Sequence, residues 1–108
     1  MQTYSIRVTM VTGTTHHTRR APADETPDLE LYARLAQDEA SAQAALSVLY
    51  RRYSQRIYTY CRKILGDNQT AEDLLQETFV KLFESGKHGR SIENFPAYLM
   101  TIARNLCL

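Results

Sequence analysis

From position 28 onward, apolar residues recur at intervals of three and four along most of the chain, the spacing that lays one side of an α-helix against a core. The first predicted helix takes Thr26 as N-cap and Pro27 at its first position, with Asp28 and Glu30 in the first turn. Leu29, Leu31, Tyr32 and Leu35 form its apolar side, and it ends near Gln37. The second helix has the clearest stripe, Leu46, Leu49, Tyr50, Tyr53, Ile57, Tyr60, Cys61 and Ile64, and stops at Gly66. The third is predicted from Ala71 to Glu84, opened by TAED at 70–73, a capping box with Asp in place of the commoner Glu. A polar stretch, SGKHGRSIEN at 85–94, leads into a fourth helix with Asn94 as N-cap, Pro96 in its first turn, and Phe95, Tyr98, Leu99, Ile102, Ala103 and Leu106 as its stripe. The predicted fold class is all-α, a compact bundle of about four helices. The apolar pattern reaches Leu108 without a C-cap, so a longer parent protein is expected.

Residues 1–27 break from this pattern. They are Thr-rich, carry His16-His17, Arg19-Arg20, Pro22 and Pro27, and show no helical period, which predicts a flexible arm ahead of a helical domain at 28–108. Within the arm, Tyr4, Ile6, Val8 and Met10 alternate with polar residues as in a strand, although a single strand has nothing to pair with. The paired histidines lack a third ligand at metal-binding spacing.

At 108 residues with a formal net charge of +1, the chain suits one domain and carries no overall basic excess of the kind that marks many DNA-binding domains. Charge is nevertheless unevenly placed. Opposite the second helix's stripe lie Arg51, Arg52, Arg56, Arg62 and Lys63, with no acid between 51 and 63; a solvated helix face explains such an arc as readily as a binding surface. On the third helix, Asp73, Gln76, Glu77, Val80 and Glu84 group away from the core side. Asp73 and Glu77 are like charges one turn apart, an arrangement that costs roughly 0.2–0.5 kcal/mol in an isolated helix. The capping box offers one compensation and a basic partner another, and the apolar Val80 among the acids favours a docking surface. Cys61 and Cys107 fall within apolar patterns and are read as small core residues. No secretory leader or membrane-length apolar run is present, in keeping with a reducing cytoplasm.

The order of three segments then matters more than any one of them: LYRRYSQRIYTYCRKILGD, AEDLLQETFVKLFES and, after a basic loop, NFPAYLMTIARNLCL. Together they resemble region 2 of a bacterial sigma factor of the extracytoplasmic-function group in the sigma-70 family, over residues 28–108. The resemblance implies a non-enzymatic domain without a cofactor that binds the RNA polymerase core and recognises and helps to melt the promoter minus-ten element in the cytoplasm. It implies that the face with Asp73, Gln76, Glu77 and Val80 docks on the clamp helices of the beta-prime subunit, where a basic coiled coil would relieve the acid pair. Lys87, His88, Arg90 and Asn105 match the stretches that open the duplex and hold a non-template base outside the stack, with Arg104 exposed nearby as a further DNA contact. Lys87 and Arg90 would hold phosphates, while the Asn105 amide, with donors and an acceptor, could read a base edge. An anti-sigma factor is a further implied partner; a membrane is not. Three positions depart from the family habit: Gly89 stands where an aromatic often precedes the loop Arg, and Met100-Thr101 where an aromatic and a basic residue are frequent.

A different class of function fits the same charge pattern, namely a helical protein-interaction module that uses the acidic and basic faces without any DNA role. Enzymatic chemistry fits poorly, since no nucleophile, His partner or phosphate loop converges on Glu72, Asp73 and Glu77.

Overall fold

In the computed structural model, residues 25–108 are described, and they form four helices: α1 (Asp28–Arg34), α2 (Glu39–Leu65), α3 (Asn68–Lys87) and α4 (Phe95–Cys107). The arm up to residue 24, with its strand-like stretch and its histidines, lies outside the described residues. The observed fold is the expected all-α bundle, with no strand among the described residues.

Each helix starts and stops for a local reason. At the start of α1, Pro27 and not Thr26 occupies the cap, with extended backbone, and its carbonyl accepts from Glu30 and Leu31 at 3.1 Å. Asp28 is the better-used residue there: it accepts from Arg52 at 2.8 Å and from the Tyr53 hydroxyl at 2.5 Å, tying α1 to α2. Burial, together with that carboxylate, pushes the Tyr53 hydroxyl up to about 12. Beyond Arg34 the chain tightens into three successive i→i+3 bonds ending at Gln37, the usual way to satisfy carbonyls at a helix end. Asp38 then caps α2 through Ser41.

Between α2 and α3 only Gly66 and Asp67 intervene. Gly66 takes φ 72°, the left-handed conformation that ends a helix cheaply in glycine. Asp67 at once caps α3, accepting from the Thr70 amide at 2.7 Å and the Thr70 hydroxyl at 2.6 Å. The expected capping box on Thr70 is therefore wrong by one turn. Thr70 lies inside the helix and donates to Asp67, and Asp73 sits too far in to cap anything. At its other end, α3 runs through Ser85, Gly86 and Lys87, which were expected in the loop.

All four helices contribute to one core. Leu31 of α1 and Leu35 just beyond its end, Leu46, Leu49 and Ile57 of α2, Phe79 and Leu82 of α3, and Phe95 and Leu99 of α4 are all essentially sealed from solvent. Burying each aliphatic side chain of this size stabilises the fold by about 1.5–3 kcal/mol. The predicted α2 stripe holds as far as Cys61, but Ile64 is 48% exposed, and at the helix end Leu65 packs against the core instead. Cys61 and Cys107 are both buried, as expected, with their sulfurs 3.4 Å apart. Asn94 caps α4 by accepting from the Ala97 amide at 3.0 Å, as predicted.

Candidate functional site

On α3 the residues divide as the periodicity predicts. Leu75, Thr78, Phe79 and Leu82 are buried, Asp73 and Glu77 are exposed, and Gln76 and Val80 are half-buried. With the cap assigned to Asp67, helix-end electrostatics no longer explains Asp73. Its partner is Gln69, which donates at 3.2 Å, while Glu77 faces Lys81 at 3.9 Å with both side chains about half in solvent. A pair so exposed contributes little, so the acids at 73 and 77 remain available to a basic partner. Val80 adds an apolar centre to this arc.

The segment after α3 is built by a specific helix ending. Gly89 has φ 70°, its amide donates to the Gly86 carbonyl at 3.0 Å, and the Arg90 amide donates to the Ser85 carbonyl at 3.2 Å. These are the two bonds of a Schellman motif. The motif explains the family departure at position 89, because an aromatic there would have to adopt a left-handed backbone that only glycine takes without cost. His88 joins the ending, with Nδ1 lying 2.8 Å from the Glu84 carbonyl; a carbonyl only accepts, so Nδ1 carries the proton.

The Schellman turn sets Arg90 beside α4. Its guanidinium lies 5.9 Å from the centre of the Tyr98 ring, a cation–π contact. Tyr98, expected as a core residue from its place in the α4 stripe, is only half-buried. Lys81, Glu84, Ser85, His88, Arg90, Tyr98 and Ile102 line a cleft of about 480 Å³, a volume within the usual range for small-ligand sites of about 300–1,000 Å³. One aromatic ring, the hydroxyl-bearing Ser85 and Tyr98 and several charged groups thus surround an open space at the end of α3.

Of the five residues expected at a DNA surface, the structure brings His88 and Arg90 into this cleft. Lys87 belongs to the last turn of α3, with its ammonium 5.6 Å over the Phe83 ring. Arg104 lines a second, smaller cleft of about 220 Å³ with Tyr60, Met100 and Thr101, so the Met100-Thr101 departure falls in its wall. Asn105 is exposed on α4 and lines neither of these clefts. Tyr98 and Ser85 were missed by sequence reasoning. The available signal was a Tyr in the stripe facing a hydroxyl in the preceding segment, and buried or half-buried tyrosines normally find a hydrogen-bond partner.

The family profile described as Sigma-70 region 2 matches residues 49–108, the span that contains α3, the Schellman turn and α4. The chain belongs to the sigma-70 family. Relatives place it in the extracytoplasmic-function (ECF) group of that family. The chain is 39% identical over 92 residues to the ECF RNA polymerase sigma factor BldN of Streptomyces coelicolor, covering 84% of this chain and 34% of that protein. It is 30% identical over 92 residues to the ECF RNA polymerase sigma factor SigE of Mycolicibacterium smegmatis, covering 81% of this chain and 33% of the relative. With the ECF RNA polymerase sigma factor SigL of Mycobacterium tuberculosis it shares 29% identity over 77 residues, 70% of this chain and 44% of the relative. The sigma-70 region 2 chain thus spans about a third of the length of the first two. No solved structure matches it. Among the described residues there is no group of three or more metal-ligating side chains, and no helix is long and apolar enough to cross a membrane.

Proposed function

We propose that this chain is the polymerase-binding and promoter-opening part of a sigma factor acting in the cytoplasm. In this reading the α3 arc of Asp73, Gln76, Glu77 and Val80 docks on the clamp helices of the beta-prime subunit. The cleft between the end of α3 and α4 receives a non-template base of the minus-ten element extruded from the duplex. Extrusion costs a few kcal/mol, which stacking and hydrogen bonds in a pocket recover. Stacking of a base on an aromatic face contributes about 1–3 kcal/mol, and Tyr98 supplies such a face. Arg90 and Lys87 hold the flanking phosphates, Arg104 extends the track along α4, and Asn105 contacts a neighbouring base edge. The domain itself carries out no bond-making chemistry and uses no cofactor, and an anti-sigma factor regulates it by competing for the same surfaces.

The observation that carries this reading is the cleft itself. It joins an aromatic face, a guanidinium and a histidine within the segment that the family profile covers. Because docking arc and cleft share α3, a protein bound through the arc would carry the cleft at a fixed place on the polymerase. The test assembles the chain with polymerase core on forked DNA whose single-stranded non-template segment contains 2-aminopurine. Binding should change the probe's fluorescence at one position only, and Tyr98→Ala should remove that change while leaving core binding intact. Equal fluorescence at every position, or no effect of Tyr98→Ala, would contradict the assignment.

A further inference from the structure

Three hydroxyls form a chain that runs from outside the cleft into its wall. Ser85 Oγ lies 2.7 Å from the Tyr32 hydroxyl of α1 and 2.7 Å from the Tyr98 hydroxyl of α4. The two rings also meet edge to face, with centroids 6.2 Å apart. The carbonyl of the same serine accepts from the Arg90 amide at 3.2 Å. One residue on α3 therefore touches both the hydroxyl of the cleft's tyrosine and the backbone that carries its guanidinium.

We propose that Ser85 is a positioning residue for base selection, and that Tyr32 acts on the cleft through it; this rests on the proposed base-binding role. The chemistry of the chain limits what Tyr98 can offer. Each hydroxyl has one proton to donate. If Tyr32 donates to Ser85 and Ser85 to Tyr98, the Tyr98 proton is left for a ligand and selects acceptors on a base edge. If the chain runs the other way, Tyr98 spends its proton on Ser85 and offers only lone pairs, which select amino groups. Tyr32, at the far end of the chain from Tyr98, lines a different recess, with Leu29, Ala33 and Ile92 among its walls. Removing the Tyr32 hydroxyl thus alters what the cleft presents while leaving the cleft's own lining groups in place.

The test measures which single-stranded DNA decamers, randomised one position at a time, are retained by the chain bound to polymerase core. Ser85→Ala, Tyr32→Phe and Tyr98→Phe are compared with the parent, and circular dichroism and melting check that each is folded. Tyr32→Phe keeps the edge-to-face ring contacts with Tyr98 and Phe95, so it carries the test even if Ser85→Ala fails to fold. Ser85→Ala and Tyr32→Phe should each change the preference at one base position by roughly 3- to 10-fold, the range that one net hydrogen bond spans. Neither should have a further effect when added to Tyr98→Phe, because all three act through one oxygen. A shifted preference for Tyr98→Phe with none for folded Tyr32→Phe and Ser85→Ala would overturn the role of Ser85 alone. Absence of any base preference in the parent would overturn the base-binding reading and this inference with it.

Discussion

Replacing Gly86 by alanine inserts one methyl group where α3 meets α1, and its effect follows from two opposed magnitudes. A Cβ at this position would lie 2.6 Å from Cβ and 2.6 Å from Cδ1 of Leu35, and 3.1 Å from its Cγ. Leu35 is fully buried, so its side chain has no open side to retreat into. The contact with its Cβ also involves the stem of the side chain, which moves only with the backbone. Overpacking of this kind costs about 1–3 kcal/mol, and the rigid contact favours the upper half of that range. Against it stands the helix propensity gained on replacing glycine, about 0.8–1 kcal/mol. The net loss should be about 1–2 kcal/mol, which for a domain of this size lowers Tm by roughly 5–15 °C. Thermal and urea unfolding followed by helix circular dichroism measure it directly. In a Leu35→Ala background two of the three short contacts disappear, so the same glycine change should cost less by about 1 kcal/mol, a coupling expected only for touching residues. A rise in Tm for Gly86→Ala would mean that propensity alone decides, and would refute the close approach of α1 to the end of α3.

Asn94→Ala removes the cap that begins α4 and should cost about 1 kcal/mol, read as a lower midpoint in urea unfolding with an unchanged slope. Thr70's hydroxyl, and then its amide, hold the Asp67 carboxyl below its ordinary value of 3.8. The stability it contributes is therefore complete above about pH 4 and is lost as pH falls through the lowered value. Tm should decline less steeply on acidification below pH 4 in Asp67→Asn, which still caps but does not titrate. On DNA, Arg90→Ala should weaken retention of all single-stranded sequences similarly, whereas Asn105→Ala should reduce discrimination at one position by about 1–3 kcal/mol. An unchanged base preference in the Asn105 variant would leave base reading to the cleft alone.

Much of this fold was legible because amphipathic periodicity and caps agreed, as they do around Asn94 and Pro96. The start of α3 was misread because Asp67 and Thr70 are both good cap residues three positions apart. The motif favoured Thr70, but the left-handed Gly66 has already turned the chain, and the earlier cap adds a helical turn. The end of α3 was misread because two glycines, 86 and 89, can each stop a helix. Only Gly89 has a positive φ, while Gly86 is there to let Leu35 approach. Neither distinction exists in the sequence, since both depend on what α1 brings near. Tyr98 illustrates the same limit: its spacing is that of a core residue, and only the tertiary positions of Ser85 and Arg90 make it part of a cleft wall. The acidic arc, by contrast, needed nothing beyond the helical period to be placed.

The most direct test of the docking surface is the affinity of the chain for RNA polymerase core with and without a charge reversal at Glu77. This side chain is about half in solvent, and its partner Lys81 stands at 3.9 Å, so Glu77→Lys should leave the helix and the fold intact by circular dichroism. Placing like charges opposite each other across an interface costs several kcal/mol, so affinity for core should fall by about 30-fold or more. Binding of a folded Glu77→Lys chain as tight as that of the parent would contradict docking through the acidic face of α3.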